Sequence, residues 1–87
     1  YLNNRMELAP AKAVLERALD IDEKALGPES TSVAIDVNNL GSVLKDQGDL
    51  EGARKCYQRA LAIFEKRLRK DHPNTVTVRN NLNSLEE

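Results

Sequence analysis

NNLGSVLKDQGDLEGARKCYQRALAIFEKRL, residues 38–68, carries apolar stripes of helical spacing on either side of a turn. From Leu50 onward the apolar or small positions are Leu50, Ala53, Tyr57, Ala60, Leu61, Phe64 and Leu68. They fall three or four residues apart, which sets them along one side of an α-helix. Upstream, Val33, Val37, Leu40 and Leu44 keep the same spacing. Gly48-Asp49 lies between the stripes, a turn short enough to make the two helices antiparallel. Strong helix formers, Glu, Lys, Arg, Gln and Ala, occupy most of the remaining positions.

Slid against itself by 42 residues, the chain matches. Arg17-Ala18-Leu19 recurs as Arg59-Ala60-Leu61, Ile21 as Ile63, Glu23-Lys24 as Glu65-Lys66 and Leu26 as Leu68. Asn38-Asn39-Leu40 recurs as Asn80-Asn81-Leu82 and Ser42 as Ser84, while Leu2, Leu8 and Ala11 recur as Leu44, Leu50 and Ala53. These are fourteen identities among the forty-five pairs the offset allows, where average residue usage gives roughly three. The chain is internally duplicated. In the first unit the long-helix stripe is Leu8, Ala11, Leu15, Ala18, Leu19 and Leu26, closed by Gly27-Pro28.

Residues 32–37 and 75–78 also alternate as strands do and are rich in β-branched side chains. Two short strands so far apart, without partners, would leave their ladder groups unpaired, which favours helix. The pattern therefore predicts a helical tail at about 1–6, a long helix at 8–26, a helix at 32–47, a long helix at 50–69 ending near Lys70, and a last helix at 74–86. Turns fall at Met6-Glu7 and Gly48-Asp49. As units, this is a partial repeat over 1–31, a repeat over 32–73, and a capping or partial helix over 74–87.

Length and charge narrow the function. At 87 residues the chain holds one small domain, not separate cofactor and substrate lobes. Thirteen Lys and Arg against fourteen Asp and Glu give a net charge of −1, which supplies no global field for a nucleic acid or an anionic membrane. One cysteine makes no internal disulfide and fits a reducing, cytoplasmic setting. No stretch approaches the ~18 apolar residues of a membrane span. With Tyr1, Tyr57 and Phe64 as the only aromatics, a single globular core is poorly provided for; stacked helix pairs need no such centre. Starting at Tyr1, the chain reads as a fragment of something longer, with an N-terminal end expected to fray or to be completed by a second molecule.

Catalytic chemistry finds little support. His72 and Cys56 are the only residues of their kinds and stand on different elements. His72 suits the turn before Pro73 at a helix start, and Cys56 serves as a small apolar filler. One His and one Cys cannot complete a zinc site, and Gly27, Gly41, Gly48 and Gly52 are too scattered for a phosphate loop. Neither metal nor cofactor is expected, and the chain is not expected to be an enzyme. The basic cluster Lys66, Arg67, Arg69 and Lys70 faces a helix C-terminus, where cations are favoured, without an aromatic platform for bases. Glu65 and Arg69, four apart, are placed to pair.

Taken in order, Leu40-Gly41, Leu44, Gly48-Asp49-Leu50, Ala53, Tyr57 and Ala60-Leu61 resemble the tetratricopeptide repeat. The 42-residue period, the Asn-Asn-Leu opening and the helix end of Ala60, Leu61, Ile63, Glu65, Lys66 and Leu68 are similar to the longer variant found in kinesin light chains and many prokaryotic repeat proteins. The linkers Leu26-Gly27-Pro28-Glu29 and Asp71-His72-Pro73-Asn74 agree with that variant. Gly41 and Ala53 are small where the helices of a pair approach, and Ala60 where the next repeat packs. Asp22 stands in Phe64's place, Asn83 in Gly41's and Glu86 in Leu44's; with Glu87, the last two suggest a polar cap or a truncated unit.

The resemblance implies an all-α, right-handed superhelical solenoid of antiparallel helix pairs that binds a peptide or protein on its concave face. It implies that Asn39 and Asn81 face that groove, with Ile35, Ser42, Lys45, Asp46, Thr77 and Ser84 nearby. An amide donates and accepts, so it can bracket an extended peptide backbone of any sequence. Asn38 and Asn80 either join them or bond between neighbouring helices. The two-carboxylate clamp of chaperone-binding members is not supported, because Thr77 and Asn81 stand where it needs Lys and Arg. The alternative function is a structural spacer that self-associates into homo-oligomers through exposed repeat ends.

Overall fold

The computed structural model describes the backbone of residues 4–85 and the side chains of residues 12–85. Four α-helices follow one another: α1 (Asn4–Leu26), α2 (Thr31–Asp46), α3 (Leu50–Arg67) and α4 (Pro73–Ser84). No strand occurs among the described residues, so the alternating segments 32–37 and 75–78 are helical. The first described turn is made by Gly27 at φ 95° and the second by Gly48 at φ 89°, a region that L side chains adopt only with strain.

Each later helix is started by a side chain. Ser30 caps α2 by accepting from the Val33 amide at 3.2 Å. Asp49 caps α3 by accepting from the Gly52 amide at 2.9 Å. His72 caps α4, its Nδ1 accepting from the Asn74 amide at 3.1 Å, with Pro73 in the first turn where its missing N–H costs nothing. The single histidine is thus part of a helix start, as its place before Pro73 predicts.

Three boundaries differ from the sequence reading, one of them being the end of α4, at Ser84 rather than 86. The turn expected at Met6-Glu7 is absent: α1 runs unbroken from Asn4 to Leu26. The equivalent turn in the next unit uses Gly48 with positive φ and the short cap Asp49. Met6 and Glu7 offer neither, so nothing local interrupts the helix. At the other end of the unit, α3 stops at Arg67 rather than near Lys70, because Leu68 takes an extended conformation (φ −125°, ψ 173°) and packs against the core. The expectations for Tyr1, Glu86 and Glu87 lie outside the described residues.

The core lies between the helices, formed by Val33, Ala34, Val37, Leu40 and Leu44 of α2, Ala53, Tyr57, Ala60, Ile63 and Phe64 of α3, and Val78 of α4. From α1, Leu15 and Leu19 close it on one side. Gly41 lies directly against the Tyr57 ring: a Cβ there would stand 2.9 Å from Cε1 and 3.1 Å from the Cys56 Cβ. Ala53 and Ala60 are fully buried. The three small residues thus sit where α2, α3 and their neighbours come closest.

Candidate functional site

Helices α2 and α4 are equivalent elements of successive units, and a pocket of about 250 Å³ opens between them. Spacing by one helical turn decides which side chains reach it: Ile35, Asn38 and Asn39 from α2, Asn74, Thr77 and Val78 from α4. Phe64 of α3 closes the floor. Phe64 is 1% exposed, whereas Ile35 is 44% exposed and gives this face an open apolar spot. The lining contains no charged residue.

A polar ladder fastens the same two helices. The Asn81 Nδ2 donates to Asn38 Oδ1 at 3.1 Å, Ser84 Oγ donates to the Asn81 carbonyl at 2.7 Å, and Lys45 Nζ donates to Ser84 Oγ at 3.2 Å. Asn38 is therefore both a bridge between neighbouring helices and part of the pocket wall. Its equivalent Asn80 is exposed, as is Asn39, while Asn81 is half-buried. Ser42 turns to α3, where its hydroxyl meets that of Tyr57 at 2.9 Å. Asp46 is exposed in the last turn of α2.

The structure thus gathers Ile35, Asn38, Asn39 and Thr77 around one pocket and sets Lys45, Asn81 and Ser84 in the ladder beside it. Sequence reading missed Asn74 and gave Phe64 only a packing role. Asn74 was available to it: 74, 77 and 81 share one helical face.

Electrostatic pairs tie α3 to what precedes it. Arg59 pairs with Glu23 and donates to the Pro28 carbonyl at 3.4 Å. Lys66 pairs with Glu29 at 2.5 Å, and Arg67 Nε donates to the Glu29 carbonyl at 3.0 Å. The hydrogen bond from Lys66 holds the Glu29 carboxyl below its ordinary range. The pairing of Glu65 with Arg69 does not form: Glu65 meets Arg79 of α4 at 3.6 Å, and Arg69 approaches Asp71 at 3.9 Å. Because α3 ends at Arg67 and Leu68 is extended, Arg69 lies beyond the helix and is no i,i+4 neighbour of Glu65, while Arg79 of α4 is within reach. Burial pushes the Cys56 thiol up, away from nucleophilic thiolate chemistry. Among the described residues no group of three or more His, Cys, Asp or Glu could hold a metal ion.

One pair opposes folding. Asp36 of α2 has its pKa pushed up to about 6, first by burial and then by the Asp22 carboxyl of α1 alongside it, through a hydrogen bond and through repulsion. The folded state therefore binds this proton more tightly than the unfolded chain, whose value is near 3.8. Its stabilising effect is complete below that value and is lost as pH rises through about 6. Asp36→Asn is expected to stabilise the fold at pH 7 by about 1 kcal/mol, after solvent screening, and to change little at pH 4. Thermal melts of both proteins at the two pH values measure it; equal gains at both would remove the titration as the cause.

Helix pairs repeated every 42 residues, with the first helices of successive pairs side by side along an open face, define a helical-repeat protein of the kind that offers a binding surface. The family profile of the tetratricopeptide repeat matches residues 33–83, and the chain belongs to that family. Such repeats in general mediate protein–protein interaction. A comparison with curated proteins found no match. No helix among the described residues is long and apolar enough to cross a membrane.

Proposed function

We propose that the chain binds a peptide segment or protein surface along the α2/α4 face and performs no chemistry on it. The observation that carries this reading is the open pocket between α2 and α4, which joins an exposed Ile35 to the uncharged amides of Asn38, Asn39 and Asn74. Its ~250 Å³ falls short of the ~300–1,000 Å³ usual for a small-molecule site and suits one side chain of an extended segment. The amides around it can donate to and accept from that segment's backbone. The 42-residue period and the linker residues support the kinesin-light-chain-like variant of the repeat. The lone cysteine supports a reducing, cytoplasmic setting.

Peptides selected against the wild-type chain are expected to lose about two- to tenfold in affinity on Asn39→Ala, the worth of one lost hydrogen bond, and nothing on Asn80→Ala. Fluorescence anisotropy reads both. Equal binding by wild type and Asn39→Ala would sink the groove assignment.

A second reading, a structural repeat that self-associates, has one observation in its favour. Val14 and Ile21, seven apart on α1, are 65% and 58% exposed, while Ile63, the equivalent of Ile21, is 5% exposed. Sedimentation at several concentrations separates the two readings, since only the second requires a mass that grows with concentration.

A further inference from the structure

A second cleft, of about 500 Å³, lies between the α1–α2 turn and the C-terminal half of α3 and shares no residue with the α2/α4 pocket. Its seat is apolar. Leu26 is 57% exposed there, and Pro28, Ala62 and Ile63 adjoin it. Its charged lining is Arg59, Lys66, Arg67 and Glu29; with Glu23 pairing Arg59 from outside it, one cation remains in surplus, in a chain whose net charge is −1.

We propose that this cleft is a second docking surface, taking an acidic protein segment whose carboxylates meet Lys66 and Arg67 and whose apolar side chain rests on Leu26 and Ala62. The cleft already shows its preference on a group of its own chain: the Glu29 carboxylate sits on Lys66 at 2.5 Å and is stabilised in its charged form. That internal pair is half exposed on both sides, so it contributes little and an incoming carboxylate can exchange with it. Arg59 is held more closely, by Glu23 and the Pro28 carbonyl, and serves to fix the turn that forms one wall.

The layout also selects the kind of anion. Leu26 and Ala62 lie in the same lining as Lys66 and Arg67, so a segment that carries an apolar side chain beside its carboxylates engages both parts of the cleft, whereas a compact inorganic anion uses the cations alone. Nucleic acid is disfavoured, because no aromatic side chain lines the cleft to stack a base.

The test uses the 87-residue chain and a fluorescent peptide of alternating Glu and Leu, with a Gln/Leu peptide as its neutral counterpart, read by anisotropy. The Glu/Leu peptide should bind the wild type about tenfold or more tightly than the neutral one, one tenfold step being the worth of about 1.4 kcal/mol. Lys66→Glu/Arg67→Glu should abolish that advantage, and Glu29→Gln should strengthen binding a few-fold by freeing Lys66. Because Arg67 also supports the turn, Ala62→Glu provides an independent variant: its new carboxylate faces Lys66 one turn away, leaves the helix intact by circular dichroism, and should weaken the acidic peptide about tenfold. Asn39→Ala should leave this binding unchanged, which keeps it distinct from the groove. Absence of binding to the Glu/Leu peptide, equal binding of the neutral one, retained affinity in Ala62→Glu, or equal competition by a single-stranded RNA would each overturn the proposal.

Discussion

Phe64→Ala is expected to remove about 3–5 kcal/mol of stability, measured by urea titration of the helical signal. Phe64 is almost completely buried and is, with Tyr57, one of two aromatic residues in the core among the described residues. It closes the floor of the α2/α4 pocket while packing among α2, α3 and α4, so truncation leaves a void bordered by three helices that cannot collapse together. Domains of this length have about 4–13 kcal/mol in total, at 0.05–0.15 kcal/mol per residue. The substitution therefore removes a large share, and the midpoint should fall well before the wild type begins to unfold. A loss below about 1 kcal/mol would mean that Phe64 is dispensable and that the order of α4 comes from elsewhere.

Gly41→Leu should be nearly as severe, for the opposite reason. Even the first added carbon would lie 2.9 Å from the Tyr57 ring and 3.1 Å from the Cys56 Cβ, and the latter is fixed to the α3 backbone. The helices must separate or Tyr57 must leave its position, which also breaks its hydroxyl contact with Ser42. Overpacking of this kind costs about 1–3 kcal/mol or more. Its cause can be isolated with Tyr57→Leu, a smaller ring-free side chain. The double variant should be less destabilised than the sum of the two single ones, with a coupling of at least about 0.5 kcal/mol. Strict additivity would show that the two residues do not compete for the same space.

What could be read from the residues alone was whatever repeats along a helix. The stripe through Ala53, Tyr57, Ala60 and Phe64 specifies a buried side before any partner is known, and Gly48-Asp49 specifies a turn through backbone freedom and a cap. Met6-Glu7 misled because it occupies the place of that turn without its chemistry: period located it, and local physics did not build it. Pairings between helices were hidden for a different reason. Whether Glu65 meets Arg79, and whether Asn38 meets Asn81, depends on how far one helix is shifted along another, a quantity absent from the periodicity; Arg69 was lost to Glu65 because the helix stops before it. The close approach of Asp22 to Asp36 was invisible for the same reason, since each taken alone is an ordinary surface carboxylate.

The hydrogen bond between the Asn38 and Asn81 side-chain amides and the ion pairs of Arg59 and Lys66 fasten different parts of the repeat with different materials. Amide hydrogen bonds between neutral groups are indifferent to ionic strength, whereas exposed ion pairs are screened over a Debye length of about 8 Å at physiological salt and over less as salt rises. Added salt therefore weakens the ion pairs that join α3 to the α1–α2 turn, and the Glu65–Arg79 pair that joins α3 to α4, more than the neutral amide contact between α2 and α4. As ionic strength rises, the Asn38–Asn81 contact becomes the larger share of what aligns the two helices that line the open face.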